Sequence, residues 1–246
     1  MKKLLLNTLL IIGVIASAAY SGQLHATFKE NALLKATLYA TLKAYESDTN
    51  TDLFSIMSFT AAALGIQITT DFITALAHEL GHAITAKLLT DKDVEVIMGS
   101  HNPHDKTVAT IARTGILPKI SIKGLSGYGG TLRTTHKNRF HETAISAAGP
   151  IAGCAASLVF VQSYAIVDSM HLVSPLLTKL LSMSSACSAL HSLINLIPFD
   201  SSSDGYSIAK NALLLPKKQL EKVNAIGSCM VIPTLLLGMY LIAQNF

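Results

Sequence analysis

The feature that limits this chain most is an apolar run that ends in "TALAHELGHAITAKLL", residues 74–89. A second apolar stretch, "LFSIMSFTAAALGI" (53–66), precedes it, and only "QITTD" separates the two. At ~1.5 Å per residue, 53–89 is longer than one ~30 Å bilayer crossing requires, so it reads as a long, tilted or broken helix. Ionisable side chains are costly in such company and persist where they have partners or a function. His78, Glu79 and His82 therefore have to be explained before anything else.

Composition points to a membrane-associated chain. Charged residues make up 14% of the 246, against ~25% in ordinary soluble domains, and the mean hydropathy is +0.44. The net charge of +4 is too small to argue for nucleic acid, and no basic-aromatic cluster is present. Cys154, Cys187 and Cys229 stand far apart in apolar stretches and read as small hydrophobic residues, not disulfides or metal ligands.

Residues 1–22, "MKKLLLNTLLIIGVIASAAYSG", have the grammar of a signal peptide or an uncleaved signal anchor. Residues 23–52 form an extracytoplasmic segment in which Leu34, Leu38, Leu42 and Tyr45 recur at helical spacing. That pattern suits an amphipathic helix on the membrane face or one packed on the bundle. Residues 53–246 read as the membrane-embedded core, with further spans at 142–166, 172–197 and 225–245. Between them "VEVIM", "TVATIA" and "KISIKG" are β-branched stretches set apart by Gly and Pro, so 90–141 is expected to be a small strand and hairpin insertion. The fold class expected is all-α and polytopic, with about five transmembrane helices. Lysine and arginine concentrate in 90–141 and in the loop 198–224, which puts both on the cytoplasmic side of a bacterial-type cytoplasmic (inner) membrane.

On a helix, residues i and i+4 share a face one turn apart, so His78 and His82 can bind one metal ion, with Glu79 beside them as a base for water. Chance produces a His-Glu-x-x-His match in roughly one chain in a hundred of this composition. The competing reading makes both histidines core residues hydrogen-bonded across helices. The cost of burying ionisable groups within a span favours the metal. A third ligand is then needed. Glu95 falls in an expected strand, Glu142 opens another span, and "HAITAKLL" lacks the further Gly and His of soluble metzincins. The stretch "NLIPFDSSSDGYS" (195–207), closing an apolar span, offers Asp200 and Asp204.

His78-Glu79-Leu80-Gly81-His82, followed by Asn195, Pro198 and Asp204-Gly205, resembles the site-2-protease family of intramembrane zinc metalloproteases. "AAGPIAG" (147–153) resembles that family's small-residue segment, and "GYGGTLR" (127–133) its glycine-bearing strand beside the active site. The resemblance covers roughly residues 70–210. It implies a Zn2+ ion held by His78, His82 and the aspartate of the Asp-Gly pair, Asp204, with Glu79 as catalytic base. It also implies that Asn195 holds substrate or oxyanion, where the plainer reading is a cap on the helix before Pro198. The chain departs from the family pattern in two places. Phe-Asp-Ser-Ser-Ser-Asp-Gly is one residue longer than the usual form, which keeps Asp200 beside Asp204 as a candidate ligand. Gly153 and Cys154 stand where Asn and an aromatic residue are common. Gly205 favours Asp204, because it allows a tight turn and close approach.

The expected activity is zinc-dependent endoproteolysis of transmembrane segments of membrane-anchored proteins, within a lipid bilayer and near its cytoplasmic face. Two other classes fit part of the sequence. A catalytically inactive membrane adaptor of the same fold is one, and the intact Glu79 speaks against it. A polytopic cation transporter is the other, and it has no use for an adjacent Glu or an Asp-Gly turn.

Overall fold

The computed structural model describes residues 53–90, 94–99, 106–112, 114–123, 138–170, 175–201 and 203–245. The leader (1–22), the amphipathic segment (23–52) and the "GYGGTLR" strand (127–133) lie outside the described residues. The chain divides into two compact units, Met1–Thr69 and Thr70–Phe246. Of the first, the structure describes the beginning of helix α1 (Leu53–Thr90), where Thr69 Oγ1 donates to the Gly65 carbonyl at 2.9 Å within one turn. The second unit holds the rest of α1, strands β1 (Glu95–Met98), β2 (Ala109–Ile111) and β3 (Lys119–Ile122), and four more helices. These are α2 (Arg139–Ser169), α3 (Pro175–Ile194), α4 (Asp204–Ala212) and α5 (Lys217–Asn245).

The five-span expectation fails. Among the described residues, α2 is the one helix long and apolar enough to cross a membrane. The fold is instead mostly helical, with five helices among the described residues and one small mixed sheet. The physical reason lies in where the polar residues sit. The expected span 172–197 contains α3, whose Thr178, Ser182, Ser184, Ser185, Ser188 and Ser192 are all buried. The expected span 225–245 is the later part of α5, which opens on the charged sequence "KKQLEK". Within the expected loop 198–224 lies the nine-residue helix α4.

α1 runs unbroken through "QITTD" because its polar side chains find partners on other helices. Buried Asp71 accepts a hydrogen bond from Ser188 Oγ of α3 at 2.6 Å. Thr74 and Ser157 of α2, also buried, share a hydrogen bond of 3.1 Å. α2 starts at the N-cap Asn138, whose Oδ1 accepts from the Phe140 amide at 2.9 Å, with Glu142 in the first turn facing the helix dipole. Its buried residues Ile145, Gly149, Gly153 and Ser157 recur every fourth position, while Ile151, Leu158, Val159 and Ile166 are exposed. Small residues thus face inward and large apolar ones outward. α2 packs on α3 and α4, and α5 packs on both α3 and α4.

The three expected β-branched stretches all contain strands, in the order β1-β3-β2. β2 and β3 form the antiparallel hairpin, and β1 pairs parallel to β3 with Val96 opposite Ile120. The alternation of β1 buries Val96 and Met98, which join Ile120, Ala83 and Ala86 of α1 and Ile145 of α2 in one core cluster. Across the strands, Glu95 accepts from Ser121 Oγ at 2.7 Å and pairs with Lys119 Nζ at 3.0 Å. Of the three cysteines, Cys187 is buried as expected, but Cys229 is exposed.

α1 and α2 meet at backbone distance. A Cβ on Gly81 would lie 2.5 Å from the Ala148 carbonyl oxygen and 2.6 Å from Ala152 Cβ, whereas one on Gly65 would meet nothing within 4 Å. Gly81→Ala should therefore push the helices apart and cost about 1–3 kcal/mol. Gly65→Ala, in open helix, should stabilise by about 0.5–1 kcal/mol. Denaturant unfolding of the two variants checks the contrast, and equal effects would contradict the contact.

Candidate metal centre

α1 brings its two histidines together by helical spacing alone: the rings sit edge to face with centroids 4.7 Å apart, and the Nε2 atoms are 3.0 Å apart. Each ring has a neighbour that fixes it. His82 Nδ1 lies 2.6 Å from the Ile145 carbonyl. A carbonyl can only accept, so Nδ1 carries the proton and Nε2 is the nitrogen turned toward a ligand. The space that a side chain at Gly149 would need is filled by the His82 imidazole. Similarly, a Cβ on Gly153 would lie 3.3 Å from His78 Cβ and 2.7 Å from Ser192 Oγ. The "AAGPIAG" stretch thus clears room for the His82 ring and for the close approach of His78 Cβ and Ser192.

The third group arrives from the far end of the chain. α3 ends at Ile194, and Asp204 is the first residue of α4. Ser203 caps that helix: its Oγ accepts from the Tyr206 amide at 3.2 Å and donates to the Asp200 carbonyl at 2.7 Å. Asp204 sits in the first turn, where the helix dipole favours a carboxylate. Gly205 fits because a side chain there would strike the backbone of Leu196 and Ile197; it is a packing requirement, not a turn requirement.

The geometry answers which aspartate belongs to the site. Asp204 Oδ2 lies 3.1 Å from His78 Nε2, and Oδ1 lies 3.3 Å from His82 Nε2. One ligand atom from each of His78, His82 and Asp204 can be chosen so that all lie within 4.8 Å of one another, a group that could hold a metal ion. Asp200 instead gives its carbonyl to the turn, accepting from the Ser203 amide at 3.0 Å. Burial pushes the Asp204 carboxyl up, but its contacts with His78 and His82 outweigh it and hold the group below the ordinary carboxylate value. Glu79 is partly buried, and its charge acts on the His82 ring.

Asn195, expected to touch substrate or oxyanion or to cap a helix, meets the third group. Its Nδ2 donates to Asp204 Oδ2 at 2.6 Å, so it acts on the ligand and not as a helix cap. The Ile145 carbonyl and the two glycine clearances were not foreseen as parts of the site. Their signal was the four-residue recurrence of Ile145, Gly149 and Gly153, the same interval that separates His78 from His82. No protein-family model, curated protein or solved structure matches this chain.

Asp204→Ala should weaken metal binding more than ~100-fold, beyond the loss typical of an outer partner. Asp200→Ala should leave binding within about threefold, because its carboxylate accepts from Ser201 Oγ and lies outside the three-residue group. Competition with a chelating indicator measures both, and the reverse ranking would displace Asp204 from the ligand set.

Proposed function

We propose that this protein is a zinc-dependent endopeptidase that acts on membrane-anchored protein segments. The observation that carries the reading is the convergence of His78, His82 and Asp204, with Glu79 next to His78 on the same helix. Two imidazole nitrogens and one carboxylate oxygen are a donor set suited to catalytic zinc, which keeps a coordination position open. Zinc bound there supplies Lewis-acid polarisation of a carbonyl and of water.

The remaining work falls to the chain's own groups. Glu79 takes a proton from the attacking water as the new C–O bond forms, and gives it to the amide nitrogen as the C–N bond breaks. The Ile145 carbonyl keeps His82 from turning away. An intact Glu79 is what an inactive adaptor or a cation transporter would not require.

The substrate class rests on α2. Only 28% of its apolar window is buried, whereas the core helix of a soluble domain would be mostly buried. Ile151, Leu158, Val159 and Ile166 face outward. Gly149, which touches the His82 ring, lies about 15 Å along α2 from Arg139, roughly half of a ~30 Å hydrocarbon core. A metal centre at that depth would meet segments that enter the bilayer themselves. The basic residues of 90–141, ending at Arg139, set the start of α2 on the cytoplasmic side of this reading.

With purified chain and zinc, a reporter carrying a transmembrane segment should be cut, and Glu79→Gln should lower the rate at least ~100-fold while zinc content stays unchanged. Loss of zinc in step with activity would remove Glu79 from the role of base. Zinc bound without any hydrolysis would favour the adaptor. Cleavage of a soluble peptide with the membrane reporter left intact would overturn the substrate class.

A further inference from the structure

Asp204 has two oxygens, and the structure treats them differently. Both face a histidine nitrogen, Oδ2 at 3.1 Å from His78 Nε2 and Oδ1 at 3.3 Å from His82 Nε2, but Oδ2 alone also accepts a short 2.6 Å hydrogen bond from Asn195 Nδ2. Asn195 is itself pinned from two sides. Its amide donates to the His191 carbonyl in the last turn of α3 at 3.2 Å, and its carbonyl accepts from the Gly205 amide in the first turn of α4 at 2.9 Å. Gly205 in turn lies so close to the backbone of Leu196 and Ile197 that a side chain would not fit. These main-chain bonds fix the Asn195 backbone, and so the point from which its side chain reaches the carboxylate.

We infer that Asn195 is a positioning residue that reserves Oδ2 of Asp204, so that the carboxylate offers its metal a single oxygen, Oδ1. The inference rests on the reading of this site as a catalytic metal centre and states how that site stays open. Binding through both oxygens would turn the carboxylate and stretch or break the Asn195 hydrogen bond, a charge-assisted bond worth more than a neutral one. A hydrogen-bonded outer partner that fixes a ligand's orientation is the general device by which coordination is tuned. With one oxygen from Asp204 and one nitrogen from each histidine, the ligand count remains at three and leaves room for water and a peptide carbonyl. With two oxygens that room shrinks. The resemblance implies substrate or oxyanion contact for Asn195 and the plainer reading a helix cap; the role inferred here rests on its hydrogen bond to Asp204.

The test loads the full-length chain, and its Asn195→Ala variant, with cobalt as a spectroscopic stand-in for zinc. Metal content, visible absorption and X-ray absorption fine structure are then recorded on both. The wild type should show one carboxylate oxygen beside two imidazoles and the strong visible band of a low-coordinate ion. The variant should bind cobalt at the same stoichiometry, with affinity within the ~10–100-fold range of an outer partner. It should also gain a second carboxylate oxygen and lose band intensity. A helix-capping role would alter thermal stability but leave these spectra unchanged. Identical spectra in the two proteins would overturn the inference, as would a two-oxygen carboxylate already present in the wild type. Should the variant fail to fold, the carboxylate infrared bands of the metal-loaded wild type, with Asp204→Asn as reference, decide between one and two oxygens. Absence of cobalt from the folded wild type would instead strike the metal-centre reading itself, so the two failures are told apart by metal content.

Discussion

The candidate metal centre depends on one contact, the backbone approach of α1 to α2. Gly81 lies against the Ala148 carbonyl, Gly149 yields its side-chain space to the His82 ring, and Gly153 stands against His78 and Ser192. Small residues at helix crossings let backbones come together where the surroundings offer no hydrophobic drive for association. Here the same clearance is used twice, once for the packing of two helices and once for seating the His82 ring between them. A larger residue at any of the three positions would force either the helices or the rings outward.

Polar groups are gathered inside the fold and apolar ones turned out along α2. Ser188 donates to Asp71, Ser192 donates to the Ser188 carbonyl, and Thr74 is bonded to Ser157, all buried. Each such bond contributes only about 1 kcal/mol net, but leaving its buried partner unmade costs about 1–3 kcal/mol. The serine face of α3 is therefore a specificity device: it matches only a register in which α1 and α2 present their own polar groups. On the opposite side, α2 exposes Leu158 and Val159. Average hydropathy over 172–197 does not register that the polar side chains of α3 form a buried seam, which is why span counting misled there.

What the sequence disclosed well was local. The four-residue spacing of His78 and His82 and the three strand segments depend on neighbours within a few positions. The Asp-Gly pair also pointed to Asp204, although through its resemblance and not through the turn that Gly205 was thought to make. Less legible was whatever depends on partners far along the chain. The parallel pairing of β1 with β3 requires the chain to pass β2 on the outer edge, a choice that strand propensity does not encode. Helix α4 was hidden because its nine residues hold few large apolar side chains, although Ser203 followed by Asp204 is a legitimate N-terminal signal. Asn195 could be noticed from sequence, but only the fold shows that it bonds to Asp204.

One residue joins the core to the chemistry. Ile145 places its side chain in the cluster with Val96, Met98 and Ile120, while its carbonyl holds His82 Nδ1 at 2.6 Å. The histidines and the sheet are thus read out on adjacent turns of α1: Ala86, at 0% exposure beneath the sheet, follows His82 by one helical turn. Ligand side chains must be held within about 0.5 Å of their working positions, a tolerance set by how firmly their neighbours are packed. Cores repack in discrete steps and resist gradual deformation. Through Ile145, then, the aim of His82 is fixed by the packing of β1 and β3 against α1, and the small sheet contributes to the candidate metal centre without supplying any of its three residues.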